Sequence, residues 1–501
     1  MAAFCLALTA QAPDPSVIRV KTQLVQINAV VSDGDGPMHG LTKADFALTT
    51  GGRPRDIVVF SEDTKAVHPD PGSFALPPQV FSNVTAADVP KNVSLVLFDT
   101  LNLEPGQSVY AQKQLVKFLG TVPQGEGIGI YLLAERLGII HDFTSDTASL
   151  IAVAEALDGR QGSSTNKTRF TPVLTGMPEL DRLINRGEIR QALRSGNDRV
   201  IVTVASLRQI ARRLRNFPGR KNLIWITGGI PFSANFMSEI GSAGQELTQA
   251  NVAIYPVDVR GPLPLRQELG SRRPRMDAWD ANSMSMQALA EQTGGLALAN
   301  TNDIAGAVQR ALNDAASSYT IGFYLSPEEA DGKFHDLKLR VNRKGAKVRT
   351  RSGYFALPEE EFTEARRLRE IEVVMASPLH SYGIQVGGRA DAYRENGQSM
   401  IGIRMLINPH QIRFESKAGK WEAHLDAFAE LQSVDGKRIV RTMREGKLLL
   451  SDADRELLLT QGLDVPLVLP NDRNGAVLRL GVFDRKSGLA GSASRVWLAK
   501  P

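Results

Sequence analysis

The strongest constraint on this chain is a set of short, almost wholly apolar segments separated by helical patterns between Asn92 and Ala316. Val93 to Phe98, Gly127 to Ala134, Leu223 to Ile226 and Val252 to Val257 are too short for helices and have no polar face. Strands buried on both faces read this way, and parallel strands need a long crossover between them. Helical spacing supplies those crossovers. Gly106 to Leu119 carries Val109, Leu115, Val116 and Leu119 on one side, and Thr144-Ser145-Asp146 caps a helix running to about Leu157. Val200 to Asn216, Ser233 to Ala250, Met286 to Gln292 and the Ile304, Val308, Leu312, Ala315 stripe are the others, and Leu137 to Phe143 reads as an edge strand. The expected fold class is α/β, a doubly wound, mostly parallel, Rossmann-like sheet over residues 91–317 with flanking all-β domains. The stretch 159–197, rich in Gly, Ser, Thr and Arg, reads as a long insertion.

The flanks change period. In the segment 17–60, Val25, Ile27, Ala29 and Val31 alternate with polar residues, and Phe46 to Thr50 with Ile57 to Phe60 reads as a hairpin around Gly51-Gly52. Asp33-Gly34-Asp35-Gly36 is a turn, because the closing Glu of a calcium loop is missing. Residues 61–90, with Pro, Ser and Asp, read as a linker. In 318–356, Tyr319 to Leu325, Phe334 to Val341 and Ala346 to Tyr354 return to strand periodicity, and are expected to pair with the N-terminal segment so that the α/β domain is an insertion. Residues 357–379 place three Glu before Arg366, Arg367 and Arg369, a charged helical linker. Residues 380–501 alternate at Ile401, Ile403, Met405, Ile407 and at Trp421, Ala423, Leu425, Ala427, a C-terminal β-sandwich.

Composition excludes some functions. A net charge of +5 over 501 residues is small, so nucleic acid is not an expected partner. No segment reaches membrane-spanning length, and no integral membrane segment is expected. Ala2 to Thr9 is apolar and leads into Ala10-Gln11-Ala12, so residues 1–12 read as a truncated signal peptide without its basic region, and the localisation as secreted or periplasmic. The one cysteine, Cys5, falls within it, and a processed chain has neither disulfides nor cysteine chemistry.

Catalytic patterns are missing. Histidines 39, 68, 141, 335, 380, 410 and 424 are isolated, and no HExxH, GxSxG or phosphate loop occurs. His141 beside Asp142 is read as a half-exposed structural residue. The chain is not expected to be an enzyme, with a hydrolase hidden in the sheet cleft kept as an alternative. The basic stretches Arg208 to Lys221 and Arg340 to Arg351 read as a solvated helix face and as charges guarding an edge strand. The second also carries the alternative of an envelope polyanion binder.

Five motifs, in order, carry a resemblance. They are Leu95-Val96-Leu97-Phe98-Asp99, Asp142-Phe143-Thr144-Ser145-Asp146, Pro218-Gly219-Arg220-Lys221-Asn222-Leu223-Ile224-Trp225-Ile226, Val252-Ala253-Ile254-Tyr255-Pro256-Val257-Asp258 and Leu289-Ala290-Glu291-Gln292-Thr293-Gly294-Gly295. Over about residues 17–356 the chain resembles a von Willebrand factor type A domain, and more closely the secreted VWFA-related proteins of soil bacteria. The resemblance implies adhesion or complex assembly with a protein partner through a metal-ion-dependent site. That site begins Asp, any residue, Ser, any residue, Ser, around a magnesium ion that demands near-octahedral oxygen ligands. Asp99 matches the first position. Leu101 and Leu103 stand at the two serines, and Gly228 follows Thr227 where a second Asp is usual. The metal site is therefore expected to be degenerate, with no cofactor and weak Mg2+ binding at Asp99 as the alternative. The expected ligand-binding face is Asp99, Thr100, Asn102, Thr227, Gly228 and Asp258 at the C-terminal edge of the sheet. Ser163, Ser164 and Thr165 are further substitute ligands. The competing reading is that Asp99 and Asp258 order the loops through hydrogen bonds to backbone amides and helix N-termini.

Overall fold

Val93–Asp99 is buried at all seven positions, as a strand covered on both faces requires. The computed structural model describes residues 23–33, 36–64, 80–83, 93–122, 126–157, 169–170, 196–217, 220–230, 236–260, 278–298, 303–356, 363–376, 380–417, 419–433, 438–470 and 476–497. The expected signal segment and residues 163–165 lie outside them, as does the 159–197 stretch apart from Arg169–Phe170 and Gly196 onward.

The first strands are β1 (Gln23–Ser32), β2 (Phe46–Thr50), β3 (Arg53–Arg55), β4 (Val59–Thr64) and β5 (Val80–Ser82). The α/β part runs β6 (Val93–Asp99), α1 (Pro105–Leu119), β7 (Gly127–Leu133), β8 (Leu137–Thr144), α2 (Thr147–Glu155), β9 (Arg169–Phe170), α3 (Gly196–Leu214), β10 (Lys221–Thr227), α4 (Met237–Gln249), β11 (Val252–Asp258), α5 (Ala278–Thr293) and α6 (Ile304–Ala316). After it come β12 (Ser317–Leu325), β13 (Phe334–Val341), β14 (Lys347–Thr350), β15 (Gly353–Phe355) and α7 (Glu364–Ala376). The C-terminal part holds β16 (Ser381–Tyr382), β17 (Val386–Glu395), β18 (Gln398–Ile407), β19 (Glu415–Lys417), β20 (Lys420–Gln432), β21 (Arg438–Leu450), α8 (Asp452–Gln461), β22 (Leu463–Pro470), β23 (Val477–Asp484) and β24 (Ala490–Val496).

The α/β sheet is mixed. Its order is β11-β10-β6-β7-β8-β9, with β11, β10, β6 and β7 parallel, β8 antiparallel to β7 and β9 antiparallel to β8. The spacing predicts β8 as the edge; β9 adds two residues beyond it, at Gly138 and Ile139. Alternate side chains on each strand feed two cores. Leu95, Leu97, Leu223, Trp225 and Ile254 pack with residues of α3, α4 and α5. Val96, Phe98, Ile224, Ile226 and Tyr255 pack with α1, α2 and α6. From β6 the chain turns to β7 on one side, and later returns to β10 on the other. Between the C-terminal ends of β6 and β10 the strand order therefore reverses, and that is where α/β sheets open a crevice.

The β layers beside it are built from both flanks. β1 lies antiparallel to β12, with Ile27 opposite Ile321, and the order is β14-β1-β12-β4; a second sheet runs β15-β13-β2-β3. The hairpin predicted between residues 46–50 and 57–60 forms instead between β2 and β3, with Leu48 opposite Arg55. Gly51 and Gly52 both adopt positive φ, 55° and 78°, the conformation a two-residue hairpin turn with strand-matched twist needs. β4 crosses to the other sheet because Phe60 packs there against Phe46 and Tyr319, with ring centroids 5.3 and 5.9 Å away.

Two expectations about connections are corrected. Val80–Ser82, inside the stretch read as linker, is a strand paired with Gly387–Arg389 of β17, and it completes the sheet β22-β18-β17-β5. Phe81 is buried in the C-terminal core. Asn83 Nδ2 donates to the carbonyls of Ser381 and Ile384 at 2.7 and 2.8 Å, and its Oδ1 accepts from Val386 N at 2.8 Å. Helix α7, read as a charged spacer, packs on the larger C-terminal sheet. Ile371, Val374 and Met375 form an apolar stripe against Phe428 and Phe483, and Arg367 is buried on Asp426 at 2.9 Å. The charges flanking that stripe hid it in the sequence.

Replacing Asn83 with Leu leaves three buried backbone groups without a partner. It is expected to cost about 2–4 kcal/mol in urea unfolding, whereas an exposed Asp391→Ala changes little. Lys221 opens β10 with its ammonium buried on the Phe217 carbonyl at 2.9 Å, and burial, aided by Arg215, pulls its pKa down to about 7. The unfolded chain holds that proton up to its ordinary 10.5, so stability should rise from pH 7 toward 10.5, and Lys221→Met should flatten the rise.

Candidate functional site

Asp99 ends β6 at the strand-order reversal, and its side chain is fully buried. Four donors close on its carboxylate. Asn102 N reaches Oδ1 at 3.1 Å, while Asn102 Nδ2, Trp225 Nε1 and Thr227 Oγ1 reach Oδ2 at 2.9, 2.9 and 2.7 Å. Three of these donors crowd Oδ2 and one reaches Oδ1, so the buried carboxylate is engaged at both oxygens by its own chain. Burial pushes the carboxyl up from its ordinary value, and the four donors oppose that.

The network extends outward from there. Asn102 Nδ2 also donates to Thr203 Oγ1 at 2.9 Å, tying the first loop to α3. Thr227 Oγ1 accepts from Gly229 N at 3.0 Å. Gly228 is required where it stands, since a Cβ there would lie 2.5 Å from the Asn102 carbonyl oxygen. Thr100 turns away and donates to the Leu133 carbonyl at 3.1 Å. Of the six residues expected on the binding face, Asp99, Asn102 and Thr227 share one hydrogen-bonded cluster, with Gly228 packed on it. Asp258 stands apart: it is buried at the end of β11 and chelated by Arg260, with Nε on Oδ1 at 2.8 Å and Nη2 on Oδ2 at 2.6 Å.

This donor set does not fit a magnesium ion. The oxygens that would ligate it receive N–H and O–H groups, and Arg260 occupies Asp258. Leu101 and Leu103, in the two serine positions, pack into the cores on opposite faces of the sheet. Among the described residues no group of three or more His, Cys, Asp or Glu is placed to hold a metal. The Asp99 oxygens therefore do not fit even a weak Mg2+ site.

Trp225 as a partner of Asp99 and Thr203 as a partner of Asn102 were not foreseen. Trp225 had a signal: a tryptophan in an otherwise aliphatic buried strand must find an acceptor for its ring N–H. Thr203 had none, because α3 is brought to the loop only by tertiary packing. His141 and Asp142 do not assemble an acid–base pair. The ring Nδ1 contacts the Asp142 carbonyl at 2.7 Å, and the Asp142 carboxylate accepts from Phe143 N.

Several cations of the two basic stretches are paired or buried. Arg208 and Arg212 pair with Glu246 at 2.6 and 3.0 Å, and Arg220 and Lys221 are buried. Arg349 pairs with Asp314, and Arg343 with Asp45 at 2.8 Å. Within Arg340 to Arg351, Arg349 turns inward, whereas Arg340, Arg343, Lys344 and Lys347 stay exposed, a division the sequence could not show.

No family model and no curated protein matches the chain. Its structural neighbours include an aerotolerance-related membrane protein from Bacteroides fragilis carrying multiple mutations to serines, at 15% identity and a TM-score of 0.27 over 45% of this chain and 98% of that one. The conserved hypothetical protein BatB from Bacteroides thetaiotaomicron gives 14%, 0.26, 45% and 98% in the same terms. A von Willebrand factor type A protein from Catenulispora acidiphila gives 10% identity and 0.28, over 89% of this chain and 74% of that one. At these scores the likenesses carry no argument about function. The class that the coordinates define is a mixed α/β sheet domain joined to two β domains. No helix among the described residues is long and apolar enough to cross a membrane.

Truncating Asp99 to Ala strands Asn102 N, Trp225 Nε1 and Thr227 Oγ1, while Asn102 Nδ2 keeps Thr203, and is expected to cost roughly 3 kcal/mol. Magnesium titration and EDTA should leave the melting temperature of both proteins unchanged, and a magnesium-dependent rise in the parent alone would restore the metal site.

Proposed function

We propose that this chain is a non-enzymatic interaction module of the bacterial envelope or exterior, binding a protein partner through the C-terminal edge of the α/β sheet without a metal ion. The observation that carries this reading is the four hydrogen bonds that the buried Asp99 carboxylate accepts from its own chain. A fully buried carboxylate engaged by four donors of its own fold is not presented to a partner-bridged cation, but it can hold the loop from Thr100 to Glu104 in one shape. That loop stays partly exposed at Thr100, Leu101, Asn102 and Leu103 and fully so at Glu104. A preordered loop loses little entropy when a partner docks. The apolar segment before Ala10-Gln11-Ala12 supports an exported setting.

Cross-linking mass spectrometry of the full chain in envelope extract tests this. Partner cross-links are expected near residues 100–104, 228–230 and 259–260, to persist in EDTA, and to weaken when 159–197 is deleted. Capture abolished by EDTA, or cross-links confined to the C-terminal β domain, would overturn it.

A further inference from the structure

At the opposite, N-terminal edge of the parallel strands, three arginines meet one carboxylate. Arg349 is neutralised by Asp314 and lies over the Tyr255 ring, 5.9 Å from its centroid. Arg220 has no such partner. It is 2% exposed, its Nη2 donates to Tyr255 OH at 2.9 Å and to the Gly294 carbonyl at 3.1 Å, and its Nε has no hydrogen-bond partner. Arg351 donates Nη2 to the Gln26 carbonyl at 2.9 Å, and its Nε is likewise unpartnered. Neither guanidinium has a carboxylate within ion-pair distance among the described residues.

Both line one cleft. It opens between β1 and the starts of β10 and β11, with an enclosed volume of about 10 Å³ behind an open mouth. Asn28, Thr248, Asn251 and Thr293 add polar groups to its wall, and no acidic residue lines it. Buried cations ordinarily carry a counter-charge, because removing an unpaired one from water is costly. Burial already draws the Arg351 guanidinium down from its ordinary value to about 10.

We propose that this cleft is an anion site, in which a small oxyanion of the phosphate, sulfate or carboxylate class is held between the guanidiniums of Arg220 and Arg351. The guanidiniums supply N–H donors suited to such an oxyanion, which would sit at the open mouth of the cleft as an inorganic anion or the anionic tip of a larger molecule. Arg220 belongs to the α/β domain and Arg351 follows β14 of the β layer, so the anion would join the two units at their seam. This inference stands apart from the partner-binding edge, which lies at the other end of the strands.

The test is calorimetric titration of the full chain, in a low-salt buffer without oxyanions, with inorganic phosphate, phenyl phosphate and acetate. Saturable binding of at least one is expected. Phosphate alone assigns a free ion, phenyl phosphate of equal strength assigns a monoester tip, and acetate preference assigns a carboxylate. Arg351→Gln is expected to weaken binding about tenfold or more, and Arg351→Lys less, since it keeps charge without the fork. Arg340→Gln, on an exposed side chain of β13, should bind as the parent does. Circular dichroism confirms that each variant is folded. No saturable heat with any of the three anions, or equal affinity in folded Arg351→Gln, would overturn the proposal.

Discussion

The pairing of β1 with β12 is the constraint on which the rest of the molecule depends. Gln23 to Val30 and Ser318 to Leu325 lie in antiparallel register although nearly 300 residues separate them. Closing a flexible loop of that length costs about 5 kcal/mol in chain entropy. The insert lowers that cost when it folds, because it brings its own ends together. Ile27, Ala29, Tyr319, Ile321 and Phe323 then bury their side chains in one core. The α/β domain is thus held by its stem as well as by its own two cores, and the Arg220–Arg351 cleft lies at that joint.

Much of the fold was legible because its signals are local. Uniformly apolar runs such as Leu95-Val96-Leu97-Phe98 report burial on both faces, and Asp146 reports a helix start, accepting from Ala148 N and Ser149 N. What escaped depends on distant partners. Val80-Phe81-Ser82 is too short to show a period, and its identity as a strand comes from β17. The destination of Phe60 is set by Tyr319 rather than by the nearby turn, so a hairpin predicted from local alternation formed one strand earlier.

The candidate site divides the same way. The position of Asp99 was legible, since a carboxylate closing a buried parallel strand has few places to be. Its chemistry was only partly so. Leu101 and Leu103 announced that side-chain oxygens were missing, but the donors that replace a cation arrive from β10 and the first loop, and Asp258 is claimed by Arg260 two residues on. A motif that keeps one acidic position and loses its hydroxyls retains the architecture of a site while exchanging ionic ligation for internal hydrogen bonding. Arg220 shows the converse: it was quoted as part of a motif, and only the fold reveals that its charge goes uncompensated by the chain.

Strand β5 sets an order on biosynthesis. Residues 80–82 leave the ribosome early, yet the edge they complete belongs to β17, about 300 residues later. At 5–20 residues per second that is a wait of roughly 15 to 60 s. Throughout it Phe81 has no pocket and Asn83 has no carbonyls to bind. The C-terminal β domain therefore cannot be produced intact as a free-standing fragment from residue 380 onward, and the chain matures by stitching its beginning into its end.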